Sequence, residues 1–249
     1  MTSLATMLHH LVATLLFALA LAAHGAPLRI ETIKGPPWGF TGSDGQPTGM
    51  MYEISNRIAQ EAGLPYTNTL VPYARTAFDI ESGKADFIVR FGNEQMLRAA
   101  IPVASVVSMP VIALGPSGTR YKALEDLHGK TVGVVRSSAY EVRFDADTAI
   151  NKYPVNDYVM MANMLAMRRL DAGVGASAGL YYGAYQAGVR ADQLGEPLVL
   201  GHNEFVLFFS RQNATPDTLQ ALKAAVDKLQ ASGEIRRIVN KYTSAYGPH

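Results

Sequence analysis

The chain has 249 residues, a formal net charge of +1 and no cysteine. Basic residues are scattered rather than striped, which argues against a nucleic-acid binder. The missing thiols exclude disulfides, thiol catalysis and zinc–thiolate sites. Of the six histidines, His9, His10 and His24 lie near the N-terminus and His249 is terminal. Only His128 and His202 remain, so neither a metal, a cofactor nor a Ser-His-Asp triad is expected.

The segment Leu11–Ala23 ("LVATLLFALALAA") carries no charge. It is shorter than the roughly 20 residues a membrane span needs. Small residues follow it, and "ALA" (20–22) and "AHG" (23–25) both fit an A-x-A-like cleavage site. Residues 1–25 therefore read as a signal peptide cleaved near residues 22–26, with export to the periplasm. One departure is an n-region without Lys or Arg.

Strand and helix patterns then alternate. "PLRIETI" (27–33) reads as a strand, followed by a Gly/Pro loop. "MMYEISNRIAQEA" places Met51, Ile54, Ile58 and Ala62 on one helical face, and Gly63 ends it. "YTNTLVPY" is a strand, "ARTAFDIESG" a helix stopped by Gly83, and "ADFIVRF" a short strand of the buried parallel type. A second unit begins near residue 116. There "TVGVV" is a strand, "RSSAYEVRFDADTAINKY" a helix, "DYVMM" a strand, "ANMLAMRRLDAG" a helix and "AGVGAS" a strand end. "AGLYYGAYQAG" is a helix, and "PLVLG" and "FVLFFS" are strands. Thr215 caps a helix with Pro216 at its first position, and Ser232 caps a last helix. Such alternation predicts an α/β fold with parallel sheets and helices on both faces. Ligands then sit beyond the carboxyl ends of strands. The residues there include Trp38, Phe40, Tyr73, Arg75, Arg90 to Arg98, Ser137, Ser138 and Ser177.

The stretches "GPPWGF…DGQPTGMMYEISNRIAQEAG", "ESGKADFIV", "LEDLHGKTVGVVRSSAYE", "MLAMRRLDAGV" and "ASGEIRRIVNKY" resemble, in the same order, the family 3 extracellular solute-binding proteins of ABC importers. The resemblance implies the type II periplasmic binding fold, with two lobes joined by two crossing strands. Lobe 1 would hold 26–113 and 206–249, and lobe 2 would hold 114–205. A small anionic or zwitterionic ligand would be enclosed by hinge closure and passed to an ABC permease of the inner membrane, with no catalysis. A monomer is expected.

By the same resemblance Arg98, twelve residues after Asp86, matches the arginine that grips a ligand carboxylate. Trp38 and Tyr73 match aromatics that pack on the ligand. Ser138 matches the hydroxyl residue opening the helix after "TVGVV". One match fails, because family members that bind amino acids carry an acid five residues after the aspartate at position 171, and here that position is Ala176. A buried ammonium without a counter-charge is costly, so the ligand either meets Glu94 or Glu204 or has no ammonium. Arg90 stands where the family has Gly or Ser, and Arg75 adds a further cation. With Phe40, Ser137 and Ser177 they complete the candidate ligand-binding set. Plainer roles remain for each, such as an ion pair of Arg98 with Glu94 or of Arg75 with Asp79. Two other functions stay open on the same scaffold. One is a cyclohexadienyl dehydratase-like enzyme using Glu94 or Glu204 as acid, and the other is a free-standing sensor of the solute.

Overall fold

The computed structural model describes residues 26–136 and 138–243, so the expected signal segment and Ser137 lie outside the described residues. Within these bounds eight strands form one mixed sheet and two more form a short hairpin. In chain order the elements are β1 (Leu28–Ile33), β2 (Phe40–Thr41), β3 (Pro47–Thr48), α1 (Met50–Glu61), β4 (Tyr66–Val71), α2 (Tyr73–Glu81), β5 (Phe87–Phe91), α3 (Glu94–Ala99) and β6 (Ala100–Leu114). They continue as β7 (Thr131–Val135), α4 (Val142–Ala146), β8 (Asn151–Val155), α5 (Tyr158–Ala166), β9 (Ala172–Ala176), α6 (Ser177–Gln186), β10 (Leu198–Ser210), α7 (Pro216–Ala231) and α8 (Glu234–Thr243). The strand order is β4-β1-β5-β10-β6-β9-β7-β8.

The two ends of this sheet are parallel, as strand–helix alternation predicts: β1 pairs with β4 and β5, and β7 with β8 and β9. The centre is antiparallel. There β6 and β10 form one long ribbon, Ser210 opposite Ala100 at one end and Leu198 opposite Ala113 at the other. β5 joins this ribbon along Phe205–Phe209, whereas β9 joins it along Val111–Leu114. Two α/β layers thus hang from opposite ends of one ribbon. The centre thus departs from the parallel sheets that alternation predicts, and β6 and β10 run there as the two crossing strands that the family resemblance implies.

Cores form on both sides of the sheet. Ile30, Phe87, Val89, Leu207 and Phe209 meet Met51, Ile54 and Ile58 of α1 and Leu222, Val226 and Leu229 of α7. On the opposite face Ile88 and Phe208 meet Ala77 and Ile80 of α2 and Met96 of α3. The beyond-ribbon layer packs Val132, Val174 and Phe144 in one cluster and Met161, Leu165 and Leu180 in another.

Several local expectations are revised. The stretch from Arg136 to Tyr153 is not one helix: among its described residues Val142–Ala146 alone form an α-helix, and β8 follows. "DYVMM" is no strand. Asp157 caps α5 by accepting from the Met160 N–H at 2.7 Å, and a capped N-terminus outweighs a short apolar run. "PLVLG" and "FVLFFS" merge into β10. Ser232 is the C-cap of α7, its hydroxyl donating to the Leu229 carbonyl at 3.1 Å. Thr215 caps α7 as read.

Candidate functional site

A cavity of about 210 Å³ lies where the two layers face each other across the ribbon. One wall comes from the ends of β1 and β5 and the loop after β1: Ile33, Lys34, Trp38, Phe91 and Gly92, with Tyr73 from the first turn of α2. The other wall comes from the residues after β7 and β8: Arg136, Ser138, Tyr140, Asn156, Asp157 and Tyr158. Phe205 of the ribbon forms part of the lining between them. These are strand carboxyl ends, where an α/β sheet presents its ligands.

The Trp38 loop is fixed by the helix it precedes. The Met50 N–H donates to the Pro37 carbonyl at 2.7 Å and the Met51 N–H to the Trp38 carbonyl at 2.9 Å. Two donors at the start of α1, which have no partner within the helix, are thereby satisfied. Gly49 makes this approach feasible: its φ is 127° and an added Cβ would lie 2.6 Å from the Trp38 oxygen. The Trp38 ring then stacks against Phe205 at 4.9 Å, and Phe205 against Phe91 at 3.9 Å. The result is an aromatic wall.

On the facing wall the Tyr140 hydroxyl lies near those of Ser138 and Tyr158, and the Tyr158 hydroxyl lies near the Ala176 N–H. The Val135 N–H donates to Tyr140 at 2.9 Å. Burial is the main cause that raises both tyrosines above the usual phenol range, so both are neutral at physiological pH. Tyr158 therefore occupies the hydrogen-bonding space around Ala176, where the family resemblance led us to look for an acid. Among the described residues Asp157 is the one acid on the lining, and its Oδ1 already serves the α5 cap.

The sequence-derived candidates divide sharply. Trp38, Tyr73 and Ser138 lie on the cavity lining. Ser138 does not open a helix, since α4 begins at Val142 and is capped by Glu141. Arg90 is 1% exposed and lies under Tyr73, its guanidinium carbon 4.2 Å from the ring centroid. Burial lowers its pKa from the usual arginine value. Arg98 is at the surface with its side chain 72% exposed, paired with Glu94 at 3.5 Å. Arg75 is exposed and paired with Asp79 at 3.6 Å. Phe40 packs near Tyr182 and Tyr242. Ser177 lines a different cavity of about 320 Å³, with Met109, Tyr181 and Val239. None of these last four lines the cleft cavity.

Sequence reading passed over Lys34, Arg136, Tyr140, Asn156, Asp157, Tyr158 and Phe205 as site residues. A signal existed for Lys34 and Arg136, each of which directly follows a strand. For Asn156–Tyr158 it was masked by placing the strand too late.

Beneath α2 lies a buried carboxyl pair. Burial, followed by the hydrogen bond to Asp79, pushes Glu31 up to about 7, and Glu31 Oε2 has no hydrogen-bond partner among the described residues. Asp79 is paired with Lys84 at 3.3 Å as well as with Arg75. Since the folded-state pKa is raised, the Glu31 contribution is fully present below the ordinary value of 4.5 and lost as pH rises through about 7. Glu31→Gln keeps a donor toward Asp79 and cannot ionise. It is expected to remove this fall and to stabilise the protein at pH 8 by about 1–2 kcal/mol, allowing for solvent screening. Equal slopes of melting temperature against pH between 5 and 8 for both proteins would exclude the shared proton.

No described helix is long and apolar enough to cross a membrane. The chain is 22% identical over 205 residues to a probable amino-acid-binding protein, YxeM, of Bacillus subtilis (strain 168), covering 80% of this chain and 77% of that one. It is 28% identical over 235 residues to the membrane-bound lytic murein transglycosylase F of Erwinia tasmaniensis, covering 88% of this chain but only 46% of that protein. Its fold matches that of an ancestral arginine-binding protein bound to arginine, with a TM-score of 0.71 at 19% identity, over 88% of this chain and 99% of that one. The architecture is thus the two-lobed α/β fold of periplasmic binding proteins. The model of the bacterial extracellular solute-binding proteins, family 3, matches residues 28–245, and the chain belongs to that family.

Proposed function

We propose that the protein captures a small carboxylate-bearing solute, an organic acid or a polar amino acid, between two closing lobes and delivers it to an ABC permease of the inner membrane. The observation that carries this reading is a cavity walled from both ends of the sheet, with the long β6–β10 ribbon running between them. Bending that ribbon would change the gap between Trp38 and Tyr140, with the contacts of Ala178 with the first core and of Phe40 with Tyr182 shifting as it bends. The lobes would comprise 26–113 with 206–249, and 114–205. Export to the periplasm fits a family of extracellular proteins. The names of YxeM and of the arginine-binding protein point to amino-acid-like ligands. Lys34 and Arg136 on the lining, against a single acid already engaged as a cap, favour the carboxylate end of such a ligand over its ammonium. Binding without chemistry is the simpler reading of this lining. The likeness to the transglycosylase spans under half of that protein, and its activity is not transferred.

A thermal-shift panel of amino acids and their deaminated acids tests this. A ligand at 100 to 1,000 times its dissociation constant stabilises by about 3–4 kcal/mol. Deaminated acids are expected to raise the melting temperature at least as much as their amino-acid parents, with compaction in small-angle scattering as the lobes close. If only amino acids stabilise, the carboxylate-first reading falls.

A further inference from the structure

We propose that the anionic group of the ligand is anchored by the Tyr73 hydroxyl, which the buried Arg90 guanidinium backs from beneath. This rests on the capture reading above and specifies its polar anchor. Strand alternation in β5 sends Phe87 and Val89 to one face and Ile88 and Arg90 to the other, under α2. Arg90 thus replaces an apolar residue in a buried run and has almost no exposed surface. Its Nε donates to the Phe91 carbonyl at 3.0 Å, one terminal nitrogen donates to Thr76 Oγ1, and the other donates to the Tyr73 hydroxyl at 2.5 Å. Among the described residues no carboxylate pairs with it. A guanidinium does not give up its proton, and a desolvated charge without a counter-ion is costly. A chain that retains one has left its counter-ion to come from elsewhere.

The hydrogen bonds say where. Thr76 spends its own proton on the Tyr73 carbonyl at 2.8 Å. That leaves Tyr73 as the outlet, and Tyr73, unlike Arg90, lines the cavity. Its oxygen accepts from Arg90 and, at 3.5 Å, from the Asn93 amide. The Asn93 amide cannot turn over, because its oxygen caps α3 by accepting from the Met96 N–H at 2.8 Å. With donors on its oxygen, the Tyr73 hydroxyl is left with a proton to give. A donor backed by a buried cation selects an acceptor bearing negative charge and repels an ammonium. Tyr73 would touch the ligand, whereas Arg90 is a positioning residue that acts through it.

The test uses matched acid–amide pairs on the mature protein: pyruvate and pyruvamide, phenylacetate and phenylacetamide, arginine and argininamide. Thermal shift and calorimetry are the readouts. The acid of at least one pair is expected to bind wild type while its amide does not. Tyr73→Phe should weaken the acid roughly 10- to 100-fold, the loss of one charge-assisted hydrogen bond, and leave the amide unchanged. Arg90→Met should show the same loss without a lower melting temperature. If Arg90→Met does not fold, Tyr73→Phe still decides, since it leaves the guanidinium in place. Acid and amide binding alike, acid binding that survives Tyr73→Phe, or a loss seen in Arg98→Ala alone would each overturn the anchor. In those cases compaction on binding leaves the capture reading standing. If no member of any pair binds, capture of such solutes falls, and the anchor with it.

Discussion

Gly179→Ala is expected to cost about 2–4 kcal/mol of stability and to weaken ligand binding in whatever remains folded. Tyr158 lies across three glycines spaced four residues apart, Gly175 at the end of β9 and Gly179 and Gly183 in α6. An added Cβ would come 2.5 Å from the ring at Gly175, 2.4 Å from it at Gly179 and 2.5 Å from the Tyr158 carbonyl oxygen at Gly183. All three distances are far inside van der Waals contact, and at Gly179 the three nearest atoms all belong to the ring. The ring has nowhere easy to go. It is buried, and its hydroxyl lies close to Tyr140 and to the Ala176 N–H. Overpacking costs typically 1–3 kcal/mol, and each broken hydrogen bond adds about 1. Because the ring is also a cavity wall, the same displacement reshapes the ligand site. Urea denaturation measures the first effect. The decisive check is the double variant: adding Tyr158→Ala should make Gly179→Ala nearly neutral, a coupling of at least 1 kcal/mol. Additive costs would mean that the clash lies elsewhere.

That socket also accounts for what could be read in advance and what could not. α1, α7 and β5 follow periodicity and caps that any observer of the sequence can count, and their cores form on the faces so marked. The loop after β7 and the start of α5 are different. "DYVMM" is apolar enough for a strand, while the true strand β8 carries Pro154 and an exposed Tyr153, as an edge strand tolerates. Placing the strand a few residues late removed Asn156, Asp157 and Tyr158 from the set of strand-end residues, and with them half of the facing wall. β6 was similarly hidden. Pro102 and Pro110 interrupt its pattern, and its pairing with β10 is non-local, so only the family resemblance implied a crossing strand. Tyr158 crowds the space around Ala176, as the close approach of its ring to the neighbouring Gly175 shows. That phenol comes from a different element, a contact that no spacing rule announces. Arg90 was visible as an odd cation after an apolar run. Its burial, and the absence of a carboxylate beside it, needed the strand's facing and α2 above it.

Asp86→Ala is expected to destabilise the protein by roughly 3 kcal/mol while leaving the affinity of the folded fraction unchanged. Asp86 stands just before β5, buried, at the end of the strand away from the cavity. Its Oδ2 accepts from the Arg29 backbone N–H at 2.6 Å and from Arg29 Nε at 3.0 Å. Its Oδ1 accepts from Arg29 Nη2 at 2.9 Å and from the Asn213 amide at 2.7 Å. The backbone continues the pattern, with the Asp86 N–H donating to the Arg29 carbonyl and the Ser210 N–H to the Asp86 carbonyl. One carboxylate thereby fastens β1, β5 and the turn after β10. Arg29 is half exposed, so its ion pair is screened and the larger share of the loss comes from the Arg29 N–H and the Asn213 amide, left without their acceptor. Asparagine should rescue little. All four partners are donors, and an amide must present its own N–H groups to those on one side. An Asp86→Asn variant as stable as wild type in urea would show that fewer of these bonds count than the geometry implies. The motif aspartate that directed attention to Arg98 is then an architectural residue, and the polar chemistry of the cleft begins at the other end of the same strand, with Arg90.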